Sequence, residues 1–185
     1  MIMRPSFYKA STLDRPTERQ ARGLDPDQPV GLVLFGGLGS AVMKRIAAQL
    51  PETPLILMCG QNAALAKSLR AAEASAPHIV VEFTPDVAYW MRLADFFIGK
   101  PGPASLSEAV LPVIVTRNAW TMPQERWNTE WVIEHGLGVV QRNFNDVRAG
   151  VDAIVGDLPR WKSNVSKIQN QAVFEVPKIL TKLLA

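Results

Sequence analysis

Between residues 30 and 157, short unbroken apolar runs alternate six times with segments whose apolar residues fall at helical spacing. The runs are VGLVLF, LILMC, HIVVEF, DFFIG, PVIVT and GVVQ; they are too short for helices and lack the polar alternation of a half-exposed strand. Such runs mark strands buried on both faces. Between them lie AVMKRIAAQL, NAALAKSLRAAEA with Asn62 as a plausible N-cap, PDVAYWMRLA with Pro85 in its first turn, ASLSEAV, PQERWNTEWVIEHG and NDVRAGVDAIVGD. Strand–helix repeats with short connections predict an α/β fold: a Rossmann-like doubly wound parallel sheet of about six strands, helices on both faces. No internal sequence repeat is visible.

The segments around this core are less regular. Residues 1–29 are polar and proline-punctuated (RPSF, DRPTERQ, LDPDQP), reading as an extended lead-in with one short helix. The α/β unit occupies 30–159. Residues 160–185 read as C-terminal helices interrupted near Pro177. A length of 185 residues suits one α/β domain, and 48% hydrophobic residues suffice for its core.

The 20 Lys and Arg against 17 Asp and Glu are scattered, so no basic stripe for nucleic acid exists. A mildly basic balance suits an anionic ligand or a membrane surface. Peripheral membrane association therefore stands beside a cytoplasmic location as an expectation, without further support in the sequence. The single cysteine, Cys59, excludes a disulfide framework and reads as a buried core thiol in a reducing compartment. No apolar run approaches the roughly 20 residues of a membrane span, and no signal peptide opens the chain.

Open parallel sheets bind ligands beyond the carboxyl ends of their strands, so the loops there carry the functional reading. GGLGS (Gly36, Gly37, Gly39, Ser40) leads from the first strand into a helix, where free N–H groups can face an anion. It is not GxGxxG, and the second strand ends in Met58-Cys59-Gly60 rather than in an acid, which disfavours NAD; a P-loop lysine is also missing. In GKPGPASLSEA, glycines bracketed by prolines deliver the chain into a helix. Its first-turn N–H groups and the Ser105 hydroxyl suit a diphosphate, with Glu108 a turn further on for vicinal hydroxyls. A Pro-Gly turn and a solvated glutamate account for the same spacing equally well.

PQERWN puts Gln124, Glu125 and Asn128 at a helix start, where amide and carboxylate groups suit sugar hydroxyls. A capping cluster, with Trp127 and Trp131 packed on the core, is the structural alternative. His78 and His135 are isolated, no metal-ligand or Ser-His-Asp pattern is present, and Asp86 and Asp95 read as caps or solvated groups at helix ends. Trp120 and Met122 stand out as apolar positions for a membrane or partner.

Taken in order, RPSF, LDPDQPVGLVLFGG, VEFTPDVAYWMRLAD, GKPGPASLSEA, and QERWN followed by VIEHGLGV resemble the C-terminal donor-binding domain of GT-B glycosyltransferases. The group is that of the monogalactosyldiacylglycerol synthases and the lipid-linked muramoyl-pentapeptide N-acetylglucosaminyltransferase. The resemblance covers nearly the whole chain, and KPGPxxxxEA is its most specific part. It implies that the backbone at Phe83 and Thr84 reads uracil. Gly102, Pro103, Ala104 and Ser105 would bind the diphosphate, Glu108 the ribose, and Gln124, Glu125 and Asn128 the hexose side. Arg4 would approach the donor phosphates. A phosphate role for the first glycine loop is weakened by Leu38, which stands where relatives often carry a polar residue.

The resemblance further implies an inverting hexosyltransferase with a UDP-sugar as donor substrate and with no cofactor or metal. Its acceptor would be a lipid or lipid-linked. Catalytic residues are expected from none of this chain, because the base would come from an N-terminal acceptor domain or partner subunit preceding residue 1. On that reading residues 1–29 form an interdomain linker, 30–159 the nucleotide-sugar-binding domain, and 160–185 helices packing on it or on the N-terminal domain. The rival expectation is a catalytically silent nucleotide-binding or scaffolding module with the same fold; an epimerase-like enzyme is weaker, for want of a set of catalytic carboxylates and histidine.

Overall fold

The computed structural model describes residues 3–9, 12–119 and 121–184. Six strands form one parallel sheet: β1 (Gly31–Leu34), β2 (Leu55–Gly60), β3 (His78–Glu82), β4 (Phe96–Gly99), β5 (Val113–Thr116) and β6 (Gly138–Gln141). Their order across the sheet is β3-β2-β1-β4-β5-β6, the doubly wound arrangement expected. Because successive strand residues point to opposite faces, the unbroken apolar runs feed two cores. Val33, Leu55, Leu57, Cys59, Phe96, Ile98 and Ile114 enter one; Leu32, Ile56, Met58, Phe97, Val113 and Val115 enter the other.

Helices seal each face. Against the first core lie α2 (Val42–Gln49), α3 (Ala63–Arg70) and α7 (Val147–Val155), with Met43, Ile46, Leu65, Leu69, Val151 and Ile154 inward. Their spacing of three or four residues is the helical stripe visible in the sequence. Each such side chain contributes about 1.5–3 kcal/mol on burial. Against the second core lie α4 (Val87–Leu93), α5 (Pro103–Glu108), α6 (Pro123–Glu134) and α8 (Leu158–Ser166), through Met91, Leu106, Val132 and Val165.

Some local expectations are corrected. Pro85 precedes α4 rather than opening it, because Asp86 is its N-cap and its Oδ1 accepts from the Tyr89 N–H at 3.4 Å. The C-terminal helices break over residues 167–171, where the Asn170 side chain accepts from the Ala172 N–H at 3.2 Å and starts a new helix. Pro177 lies within that last helix, α9 (Ala172–Leu184), none of whose residues is buried. Cys59 is a fully buried core thiol, and burial pushes its pKa up.

The largest correction concerns Asp95. It is 4% exposed, not solvated. Its carboxylate accepts from Arg15 at 2.7 Å, from Lys162 at 2.6 Å, from Arg19, and from the Val30 N–H at 2.9 Å. Arg19, itself buried, also donates to the Leu93, Pro26 and Gln28 carbonyls. Arg15 and Arg19 sit on α1 (Arg15–Gln20), the short helix of the lead-in. One carboxylate thus fastens the lead-in and α8 to the root of β4.

Candidate functional site

The sheet reverses its winding between β1 and β4, which pair in register with Leu34 opposite Gly99. The two glycine loops leave these strands side by side, so the topology creates the crevice that the loop motifs anticipate. In the first loop Gly36 (φ +78) and Gly39 (φ +61) adopt left-handed backbone, and the Gly39 N–H closes a turn on the Gly36 carbonyl at 3.2 Å. Helix α2 begins only at Val42. Leu38 points into solvent.

That loop does not stand alone. The Gln61 N–H donates to the Gly37 carbonyl at 2.8 Å, and the Asn62 amide donates to the Leu38 carbonyl at 3.2 Å. Asn62 also caps α3 by accepting from the Leu65 N–H at 2.9 Å. The loop after β2, CGQN, is therefore the brace of the first. The Asn62 cap was legible; its amide's second bond, 24 residues away, was not.

Beyond β4, Gly102 (φ −68, ψ 139) is the N-cap of α5, with no side chain satisfying the first turn, and Pro103 takes the first helical position. Pro103 and Ala104 are exposed and Ser105 is half-buried, so the first-turn N–H groups of Ala104 and Ser105 lie at the surface of the crevice. The start of α6 is tied to this loop. Lys100 Nζ donates to Glu125 Oε1 at 3.0 Å, and the Asn128 amide donates to the Pro101 carbonyl at 2.8 Å. Glu125 is 5% exposed, whereas Gln124 is exposed and its amide donates to the Met122 sulfur, at 3.4 Å. Glu125 and Asn128 brace the Lys100–Pro101 loop, and of the three candidates at the start of this helix Gln124 is the one not bonded to it.

The capping alternative for α6 does not describe it. No side chain caps this helix; Trp131 packs on the core, but Trp127 is 75% exposed. Its buried stripe is Glu125, Thr129 and Val132, so Trp127 falls on the outer face. Met122 is exposed; Trp120 lies outside the described residues. At the β3–α4 corner the Phe83 ring is exposed, and the Thr84 hydroxyl accepts from the Asp86 N–H at 3.1 Å. His78 and His135 bond to the Leu50 and Trp131 carbonyls, away from the crevice.

Glu108 closes α5 and is 5% exposed. Arg4 grips it in a fork, Nε to Oε1 at 2.6 Å and Nη2 to Oε2 at 2.7 Å, and the Arg4 N–H adds a third bond to Oε1 at 3.3 Å. The hydrogen-bonded carboxylate pushes the guanidinium pKa up. Two groups expected at the ribose and at the phosphates are thus bonded to each other. Glu108 still lines a cavity of about 430 Å³ with Phe7, Ala88, Met91, Arg92 and Val110.

No family model matches the chain. Among curated proteins it is 31% identical over 200 residues to a probable monogalactosyldiacylglycerol synthase 3 of Oryza sativa subsp. japonica, covering 98% of this chain and 39% of the relative. To monogalactosyldiacylglycerol synthase 2 of Arabidopsis thaliana it is 29% identical, over 98% of this chain and 42% of the relative. The chain thus spans about two fifths of the length of these relatives. Among solved structures, MurG of Acinetobacter baumannii superposes with a TM-score of 0.67 at 21% identity, over 93% of this chain and 54% of that one. The C-terminal CMP-Kdo binding domain of WaaA from the same organism gives 0.56 at 11% identity, over 83% of this chain and 94% of that domain. A Streptomyces glycosyltransferase solved with thymidine diphosphate gives 0.55 at 13% identity, over 97% and 44%. In sequence the chain is homologous to part of the monogalactosyldiacylglycerol synthases, and it shares its Rossmann-like fold with MurG and other GT-B glycosyltransferases.

Proposed function

We propose that the chain is the donor-binding domain of an inverting hexosyltransferase, taking a UDP-hexose and working with an acceptor-binding domain or subunit. The observation that carries this reading is the meeting of both glycine loops at the switch point, beside the open first turn of α5, in a chain related to galactolipid synthases over 98% of its length. The N–H groups of Gly102, Ala104 and Ser105 and of the first glycine loop receive the diphosphate, where helix-terminal donors stabilise developing charge on the leaving group. The β3–α4 backbone at Phe83 and Thr84 reads the base, Glu108 the ribose, and Gln124 the hexose, with Glu125 and Asn128 fixing Gln124's helix to the phosphate loop. The relatives' name supplies the rest of the substrate proposal: galactose as sugar and diacylglycerol as acceptor, which brings the enzyme to a membrane surface as a peripheral protein. No helix among the described residues is long and apolar enough to cross a membrane.

Titration calorimetry with UDP and UDP-galactose tests the site. Both are expected to bind at a single site, and Glu108→Ala to weaken UDP by roughly ten- to a hundredfold, the loss of hydrogen bonds to a charged acceptor. No heat with either ligand at millimolar concentration, together with an inert Glu108→Ala, would remove the assignment.

The silent-module reading draws on a specific observation, that Glu108 and Glu125 are both ion-paired and Leu38 occupies the first loop. It predicts nucleotide binding without turnover. Galactosyl transfer to diacylglycerol on mixing with the matching acceptor domain would rule it out.

A further inference from the structure

We infer that Arg4 is a positioning residue for Glu108, holding its carboxylate so that the remaining Oε2 lone pair accepts a ribose hydroxyl, and thereby setting the preference for a ribonucleotide donor. The inference rests on the proposed donor site. Glu108 occupies an unfavourable place for an anion. It is nearly fully buried, and it is the last residue of α5, where the helix dipole repels negative charge. Arg4 supplies the opposite charge there, with its Nε 2.6 Å from Oε1.

The geometry does more than neutralise charge. The fork engages both oxygens, one guanidinium N–H on each. A carboxylate offers about four acceptor positions; the fork takes two and the Arg4 N–H takes a third, on Oε1, so the one left on Oε2 stays open to a ribose hydroxyl. Arg4 is itself held. Its carbonyl accepts from the Phe7 N–H at 3.0 Å in the Pro5–Phe7 turn, and its guanidinium lies 5.4 Å from the Phe7 ring centre. Glu108 side-chain direction follows, since helical side chains lean toward the N-terminal end. That is the end where Ala104 and Ser105 present free N–H groups, on the order of 6 Å away along the axis.

The test measures binding of UDP and of 2′-deoxy-UDP to the full chain, wild type against Arg4→Met, Arg4→Lys and Glu108→Ala. Wild type is expected to prefer UDP by roughly tenfold, one hydrogen bond to a charged acceptor. In Arg4→Met that preference falls toward unity while binding of 2′-deoxy-UDP changes little; Arg4→Lys, which keeps the charge but not the fork, gives an intermediate preference. Equal weakening of both ligands with the preference intact would overturn the inference and put Arg4 on the phosphates. Tighter UDP binding by Arg4→Met would also overturn it, making the pair a block. If Arg4→Met does not fold, Arg4→Lys carries the same readout. A Glu108→Ala chain that keeps the wild-type preference removes the ribose role of Glu108 itself, an outcome distinct from the failure of Arg4 alone.

Discussion

Replacing Asp95 with Ala is expected to destabilise the chain by about 3–5 kcal/mol, the usual consequence of leaving a buried charge without its partner. Arg19 is the reason. Its guanidinium is 2% exposed and cannot reach water when the carboxylate goes, whereas Arg15 and Lys162 are partly exposed and can turn outward. Val30 would also lose the acceptor of its N–H, at the entrance to β1. Urea unfolding followed by circular dichroism measures the loss; a change below about 1 kcal/mol would show that the cluster is solvated. Acid titration gives an independent check. Although burial alone would raise the Asp95 pKa, the bonds from Arg15, Lys162 and Arg19 outweigh it and hold the carboxyl well below the usual carboxylate range. A carboxyl lowered on folding contributes stability in full above its unfolded value, about 3.9, and loses it as pH falls toward the native value. Wild type should therefore lose this contribution below about pH 4, and Asp95→Ala should lack that part of the acid transition.

The same residue shows where sequence reading stops. FFI announces a buried strand, and an acid before it reads as a solvated end because nothing nearby in the chain balances it. Its partners lie about 65 to 80 residues away, on α1, α8 and the entrance to β1. Strand and helix identities were legible because periodicity is local: 3.6 for α2, α3 and α7, unbroken apolar runs for the strands. The crevice was legible too, since its place follows from winding order alone. Which polar side chain meets which was not. Glu108 and Glu125 carry the spacing of ligand-facing residues, yet each bonds a cation from elsewhere, Arg4 at a separation of 104 and Lys100 at 25. Trp127 and Trp131 share helical spacing, but the helix turns only one of them inward, because the buried stripe of α6 runs through Glu125, Thr129 and Val132.

The brace between the first two loops supplies the other large expected effect. Gly60 has φ +59, and a Cβ built there would sit 2.1 Å from the Gly37 carbonyl oxygen. That contact is with backbone, so no side-chain rotation relieves it; the first glycine loop must move, and the Gln61–Gly37 hydrogen bond goes with it. Gly23 is the control. Its φ is +73, but nothing lies within 4 Å of the position its Cβ would take. Gly23→Ala should cost only the backbone term, about 1–2 kcal/mol. Gly60→Ala adds the clash and a lost hydrogen bond of about 1 kcal/mol, so its destabilisation should exceed that of Gly23→Ala by about 2 kcal/mol or more. The two variants part further in binding. Gly23→Ala should leave UDP affinity unchanged, while Gly60→Ala, by displacing the loop at the switch point, should weaken UDP by more than about tenfold, or 1.4 kcal/mol. Equal losses of stability would mean that the loop yields without cost. Unchanged UDP binding in a folded Gly60→Ala chain would mean that the first glycine loop, with Leu38 where a polar residue is often found, does not touch the diphosphate, leaving that work to the first turn of α5.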